Sequence, residues 1–157
     1  MTYLASMYEQ ILLATGGEVA SDRAVDHAID LAAQHGATLH VLFVVDSDVY
    51  DAYSGDEYVD EREGPEHGLE EVGEDAVADV VEKADARGVD VEGHIQHGQP
   101  PETIVEFARD AGVDVVVMGT RRRPDEYRSL LGSVTDRVLR LAEMPVTVVK
   151  TPVEPER

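Results

Sequence analysis

Short apolar runs alternate with longer stretches of helical periodicity along this chain. Ile11-Leu12-Leu13-Ala14 is apolar at every position and stops at Thr15-Gly16-Gly17, the pattern of a strand buried on both faces that enters a turn. Ser21 then offers an N-cap, and Ala24, Val25, Ala28, Ile29 and Ala32 recur at helical spacing before Gly36. A second strand follows over Thr38 to Val45, with Leu39, Val41, Leu42, Phe43, Val44 and Val45 apolar enough for burial on both faces, and Asp46 ends it.

From Asp46 to about Gly68 the sequence is acidic, rich in glycine, tyrosine and aspartate, and has no sustained period; it reads as a long loop, mobile or partly helical. Leu69, Val72, Ala76, Val77, Val80, Val81 and Ala84 mark one face of a long helix that stops at Gly88. Val89, Val91, Gly93 and Ile95 alternate with polar residues, as in a half-buried edge strand. Pro100-Pro101 opens a helix with a buried stripe of Ile104, Val105 and Ala108, ending at Gly112. Val115-Val116-Val117-Met118 is a fully apolar strand that runs into Gly119 and three arginines, and Gly132-Ser133 heads the next helix, lined by Val134, Val138, Leu139 and Leu141. Pro145 introduces a last strand, Val146 to Lys150, and Thr151 to Arg157 reads as a frayed tail.

The resulting order, β-α-β-α-β-α-β-α-β, fits right-handed crossovers and predicts a single doubly wound α/β domain with a parallel sheet. Such sheets bind ligands beyond the carboxyl ends of their strands, where the strand order reverses. The glycine-bearing loops after the first and fourth strands, 15–20 and 119–132, are the candidates, and they converge if those strands are neighbours. Backbone N–H groups and the positive end of a helix dipole at Gly132-Ser133 make an anion site there.

Charge sharpens this picture. The 157 residues carry 33 acidic and 13 basic side chains, a formal net charge of −20, which disfavours nucleic acid and anionic membrane surfaces as partners. Six of the basic residues nevertheless fall between Arg121 and Arg140. That clustering indicates a local anion partner, with pairing to Asp125, Glu126 and the acidic surface as the alternative. Lysine occurs only at positions 83 and 150, a balance that fits the high-salt cytoplasm of a halophilic archaeon. The chain has no cysteine, which excludes disulfides, thiolate metal sites and a cysteine nucleophile. No apolar run spans a bilayer and MTYLASMYEQ is unlike a signal peptide, so a soluble cytoplasmic protein is expected.

Several chemistries lack their motifs. GxxxxGK[ST] is absent, and Gly16-Gly17-Glu18 is not GxGxxG. A phospho-acceptor receiver needs acidic residues where Gly16-Gly17 stands. His94 and His97 lie on opposite faces of their strand, so they do not share a metal, and the other histidines read as scattered. Asp46 and Asp48 are a weak Mg²⁺ candidate beside a phosphate. No base–nucleophile pair is legible, so catalysis has little positive support.

Met118-Gly119, with Gly132-Ser133 at the right distance, resembles the glycine motif of the UspA-type universal stress proteins: Gly, two residues, Gly, nine residues, then Gly-Ser or Gly-Thr. Gly98-Gln99-Pro100 matches the family's Gly-x-Pro, and the Pro-Val before the last strand is typical of it. The resemblance covers a core of about 8–150. It implies a five-stranded sheet of order 3-2-1-4-5, an adenine nucleotide alpha hydrolase-like fold, and a homodimer, which we place at the last strand, Val146-Lys150. It further implies ATP or AMP, with Mg²⁺, bound by Ala14, Thr15, Gly16, Val44, Met118, Gly119, Arg121, Arg122, Gly132, Ser133, Val134 and Thr135.

Two positions depart from the pattern. Gly16 replaces an aspartate, and Arg122 replaces the second glycine, where a side chain in the left-handed region costs roughly 1–2 kcal/mol. The guanidinium offers phosphate a bidentate fork in exchange. A regulatory nucleotide-binding module is the first reading, a nucleotide-free dimeric interaction protein the second, and a weak ATPase the third.

The acidic surface carries its own expectation. Molar KCl shortens the screening length to about 3 Å, so the midpoint of thermal unfolding should rise from dilute buffer to molar KCl. Greatest stability in dilute buffer would contradict the high-salt reading.

Overall fold

The computed structural model describes residues 7–15, 22–47, 65–120 and 132–150. Its elements are β1 (Gln10–Ala14), α1 (Asp22–His35), β2 (Thr38–Asp46), α2 (Pro65–Ala86), β3 (Val91–Gly98), α3 (Pro100–Asp110), β4 (Val115–Gly119), α4 (Ser133–Leu141) and β5 (Val146–Val149). The sheet has five strands, all parallel as the element order predicts, in the order β3-β2-β1-β4-β5 that the resemblance implies.

The two faces of the sheet are covered by different helices, and strand periodicity of two decides which residue meets which. Ile11, Leu13, Leu39, Val41, Phe43, Val45, Val115 and Val117 point to one side, where Ala24, Ala28 and Ile29 of α1 and Val77, Val80 and Ala84 of α2 pack on them. Leu12, Ala14, Leu42, Val116 and Met118 point to the other, against Ile104 and Ala108 of α3 and Val138 of α4. Ile11, Leu12, Leu13, Val115, Val116, Val117 and Met118 are wholly removed from solvent. Each large side chain so buried contributes about 1.5–3 kcal/mol of transfer free energy, so the central pair β1 and β4 anchors both layers.

Glycines end three helices as the sequence predicts. Gly36, Gly88 and Gly112 take φ of 62°, 71° and 65°, the left-handed conformation that stops a helix. After each, the next backbone N–H reaches back into the helix, as Val113 does to Ala108 O at 2.9 Å.

Some boundaries and faces differ from the sequence reading. The helix expected from Leu69 already starts at Pro65, so 65–68, assigned above to the acidic loop, are helical; proline is tolerated at the first helical position because its missing N–H is unpaired there anyway. Leu139 and Leu141 are 40% and 36% exposed, while Thr135 and Val138 form the buried side of α4. The buried pair is three apart, one turn of one face, and a polar Thr135 hides it from an apolar count. β5 ends at Val149 rather than Lys150. Ser21, most of the 46–68 segment and the 151–157 tail lie outside the described residues.

The long helix α2 sits close to the sheet edge, and two glycines allow this. A Cβ on Gly73 would overlap the Phe43 ring, and one on Gly93 would overlap Cγ1 of Val77. Val77 is stiff at χ1 and cannot swing aside. Gly93→Ala should therefore lower unfolding free energy by about 1–3 kcal/mol in urea denaturation. Gly68, also in α2 but with nothing within 4 Å of its would-be Cβ, should gain about 0.5–1 kcal/mol on replacement by alanine. Equal effects at the two positions would refute the close approach.

Candidate functional site

The strand order reverses between β1 and β4: from β1 the chain builds outward to β2 and β3, from β4 outward to β5. In open α/β sheets such a reversal is where ligands bind, beyond the carboxyl ends of the two strands. Thr15, 8% exposed, follows β1, and its N–H donates to Leu42 O of β2 at 2.9 Å. Thr120, 4% exposed, follows β4 and donates its N–H to Val149 O at 3.1 Å. These bonds fix the first residue of each loop against a neighbouring strand.

The head of α4 closes the same end. Gly132 is buried, with extended φ and ψ of −66° and 164°, and caps the helix as a residue without a side chain. The first helical bond runs from Asp136 N–H to Gly132 O at 2.9 Å. The N–H groups of Ser133, Val134 and Thr135 thus have no acceptor within the helix and carry the positive end of its dipole. Thr135 is fully buried, and its hydroxyl donates to Gly119 O at 3.4 Å, a long bond that ties the helix head to the end of β4.

Among the sequence-predicted residues, Ala14, Thr15, Met118, Gly119, Gly132, Ser133, Val134 and Thr135 come together at the β1/β4 end. Ala14 and Met118 are buried, Ser133 is exposed and Val134 is half-buried. Val44 lies on β2, two residues beyond Leu42, the register partner of Ala14. Asp46, the weak Mg²⁺ candidate, is the last residue of β2, pairs with Gly98 and is half-buried. Gly16, Arg121 and Arg122 fall outside the described residues, as does Asp48.

A second constellation was not legible beforehand. The β2–β3 register sets His40 opposite Glu92 and Leu42 opposite His94, so His40, Glu92 and His94 share the face that α3 covers. His40 is buried; its Nδ1 is 3.1 Å from His94 Nε2 and 3.3 Å from Glu92 Oε2, and its Nε2 is 2.7 Å from Gln10 Oε1. The two imidazoles stack with centroids 5.3 Å apart, and Phe107 of α3 tilts against His94 at 4.7 Å. Burial lowers the His40 pKa from its ordinary value of 6.5; His94 lowers it further, and Glu92 opposes both. The reading of His40 as a scattered histidine is thereby corrected: it and His94, 54 apart in the chain, become neighbours through a register that sequence periodicity does not give. His97 faces the opposite way, as predicted, and pairs with Glu70 of α2.

A parallel five-stranded α/β sheet of this order, with its reversal at β1/β4 and a helix head beside it, is the adenine nucleotide alpha hydrolase-like fold. Residues 7–150 match the universal stress protein family. The chain belongs to that family. It is 34% identical over 150 residues to the universal stress protein MJ0531 of Methanocaldococcus jannaschii, covering 94% of this chain and 85% of that protein. In three dimensions it is similar to MJ0577 of the same organism, with a TM-score of 0.75, 26% identity, and 94% and 99% of the two chains covered. It is also similar to a universal stress protein solved in complex with cAMP, with a TM-score of 0.65, 25% identity and coverage of 92% and 98%. Among the described residues no helix is long and apolar enough to cross a membrane.

Proposed function

We propose that this universal stress protein binds an adenine nucleotide, ATP or AMP, in the β1/β4 crevice and uses it as a regulatory ligand. The observation that carries the reading is the tie between the head of α4 and the end of β4, Thr135 to Gly119, which holds three N–H groups with no acceptor inside the helix at the carboxyl end of β4. Phosphate oxygens fit that head because Gly132 presents no side chain and the dipole is positive there. Ala14 and Val44, apolar and on one face, suit the adenine, and Thr15 follows Ala14 at the carboxyl end of β1. The relative solved with cAMP supports the same ligand class. Asp46 alone is too small a donor set for a dedicated Mg²⁺ site, and a magnesium ion held there would share the phosphates. Gly16 and Arg122, departures from the family motif, favour a second reading in which the fold persists as an interaction module without nucleotide.

Calorimetry with ATP and AMP in concentrated KCl separates the two. The expected result is saturable heat with ATP, weakened at least tenfold by Ser133→Glu, which places a negative charge at the exposed first position of α4. No heat at millimolar nucleotide, or equal affinity in Ser133→Glu, would refute the crevice assignment. Phosphate release above a no-protein blank would favour the ATPase reading instead.

We further propose that two copies pair through β5. Val116 donates to Pro145 O and Thr120 to Val149 O, so the alternate residues Val146 and Val148 turn their backbone groups to the open edge. Leu139 and Leu141 add exposed apolar surface on the adjoining α4. Light scattering on the purified protein should report twice the chain mass of 17.1 kDa, falling to one chain mass in Val148→Pro, which removes an outward donor. A monomer at micromolar concentration would overturn the pairing.

A further inference from the structure

We propose that His40, Glu92 and His94 form a binding site for a divalent transition-metal ion of the zinc class, at the outer β2–β3 side of the sheet and separate from the nucleotide crevice. One ligand atom from each residue lies within 4.8 Å of the others. Two of the three spacings already have the size of a coordination edge. Ligand–metal distances of about 2.0–2.2 Å in tetrahedral geometry set donor–donor edges of about 3.3 Å, against 3.1 Å from His40 Nδ1 to His94 Nε2 and 3.3 Å from His40 Nδ1 to Glu92 Oε2. The remaining edge closes by rotation of Glu92, whose side chain is 61% exposed.

The surroundings orient the ligands. Gln10 Oε1 accepts from His40 Nε2 at 2.7 Å, which puts the proton on Nε2 and leaves the Nδ1 lone pair aimed at His94 and Glu92. Phe107 packs at 4.7 Å from the His94 ring and 5.9 Å from the His40 ring, so both imidazoles sit against an apolar wall that restricts water on one side. Two imidazole nitrogens and one carboxylate suit zinc and its neighbours in the transition series; magnesium and calcium prefer oxygen alone. Three protein ligands leave a fourth position for water or an incoming donor. The site lies away from the proposed adenine position: four steps along β2 lead from His40 to Val44, about 13 Å at roughly 3.3 Å per residue.

The test uses the full chain, stripped with a chelator and titrated with Zn²⁺ against a chromogenic competitor. One Zn²⁺ per chain is expected at micromolar affinity or tighter, with Co²⁺ giving the visible spectrum of a tetrahedral site. His94→Ala and Glu92→Gln, both at positions open enough to tolerate change, should each weaken binding at least tenfold with an unchanged circular dichroism spectrum. His97→Ala, on the opposite face, should leave affinity unaltered. Zinc uptake that persists at full affinity in His94→Ala is adventitious surface binding and overturns the proposal, as does equal competition by Mg²⁺ or the absence of stoichiometric binding.

Discussion

The pairing of β1 with β4 is the contact on which the remaining architecture depends. Ile11, Leu12 and Leu13 align with Val115, Val116 and Val117, and all six side chains are fully buried, with the odd positions of both strands on one face and the even positions on the other. A parallel pair apolar on both faces must be covered on both faces, which is why α1 and α2 pack on one side and α3 and α4 on the other. The same pairing puts the carboxyl ends of the two strands side by side, at the reversal of strand order where such sheets bind ligands.

Those parts were legible in the sequence because their causes are local. Runs such as Ile11 to Ala14 and Val115 to Met118 declare two-sided burial, and Gly36, Gly88 and Gly112 stop helices through a conformation that glycine adopts without strain. The head of α4 was legible as Gly132-Ser133. What stayed hidden depends on partners distant in the chain. The encounter of His40 with His94 requires the β2–β3 register, and neither residue has a local pattern that announces it. Leu139 and Leu141 are exposed while Thr135, bonded to the end of β4, takes a core position that an apolar pattern assigns elsewhere. The helical start at Pro65 was masked by the glycine and acidic residues around it.

The proposed nucleotide and metal sites occupy different parts of the sheet. At the carboxyl end of β1 and β4, backbone donors and a helix dipole make a cradle for an anion, in a chain whose net charge of −20 otherwise repels anions. Local dipoles decide the sign there because they act at contact distance, whereas the summed surface charge is screened. Along the outer strands the acidic field works the other way and favours cations near Glu92 and the two imidazoles. The two proposals thus assign opposite charge preferences to one sheet, each set by a few residues on a shared frame.

The central claim is that the head of α4 and the β1 loop hold a nucleotide together, and a crystal structure determined with ATP at high salt tests it most directly. The account predicts phosphates against the N–H groups of Ser133, Val134 and Thr135, with the adenine against Ala14 and Val44. Nucleotide seated elsewhere on the chain, or an unchanged crevice at saturating ATP, would contradict it.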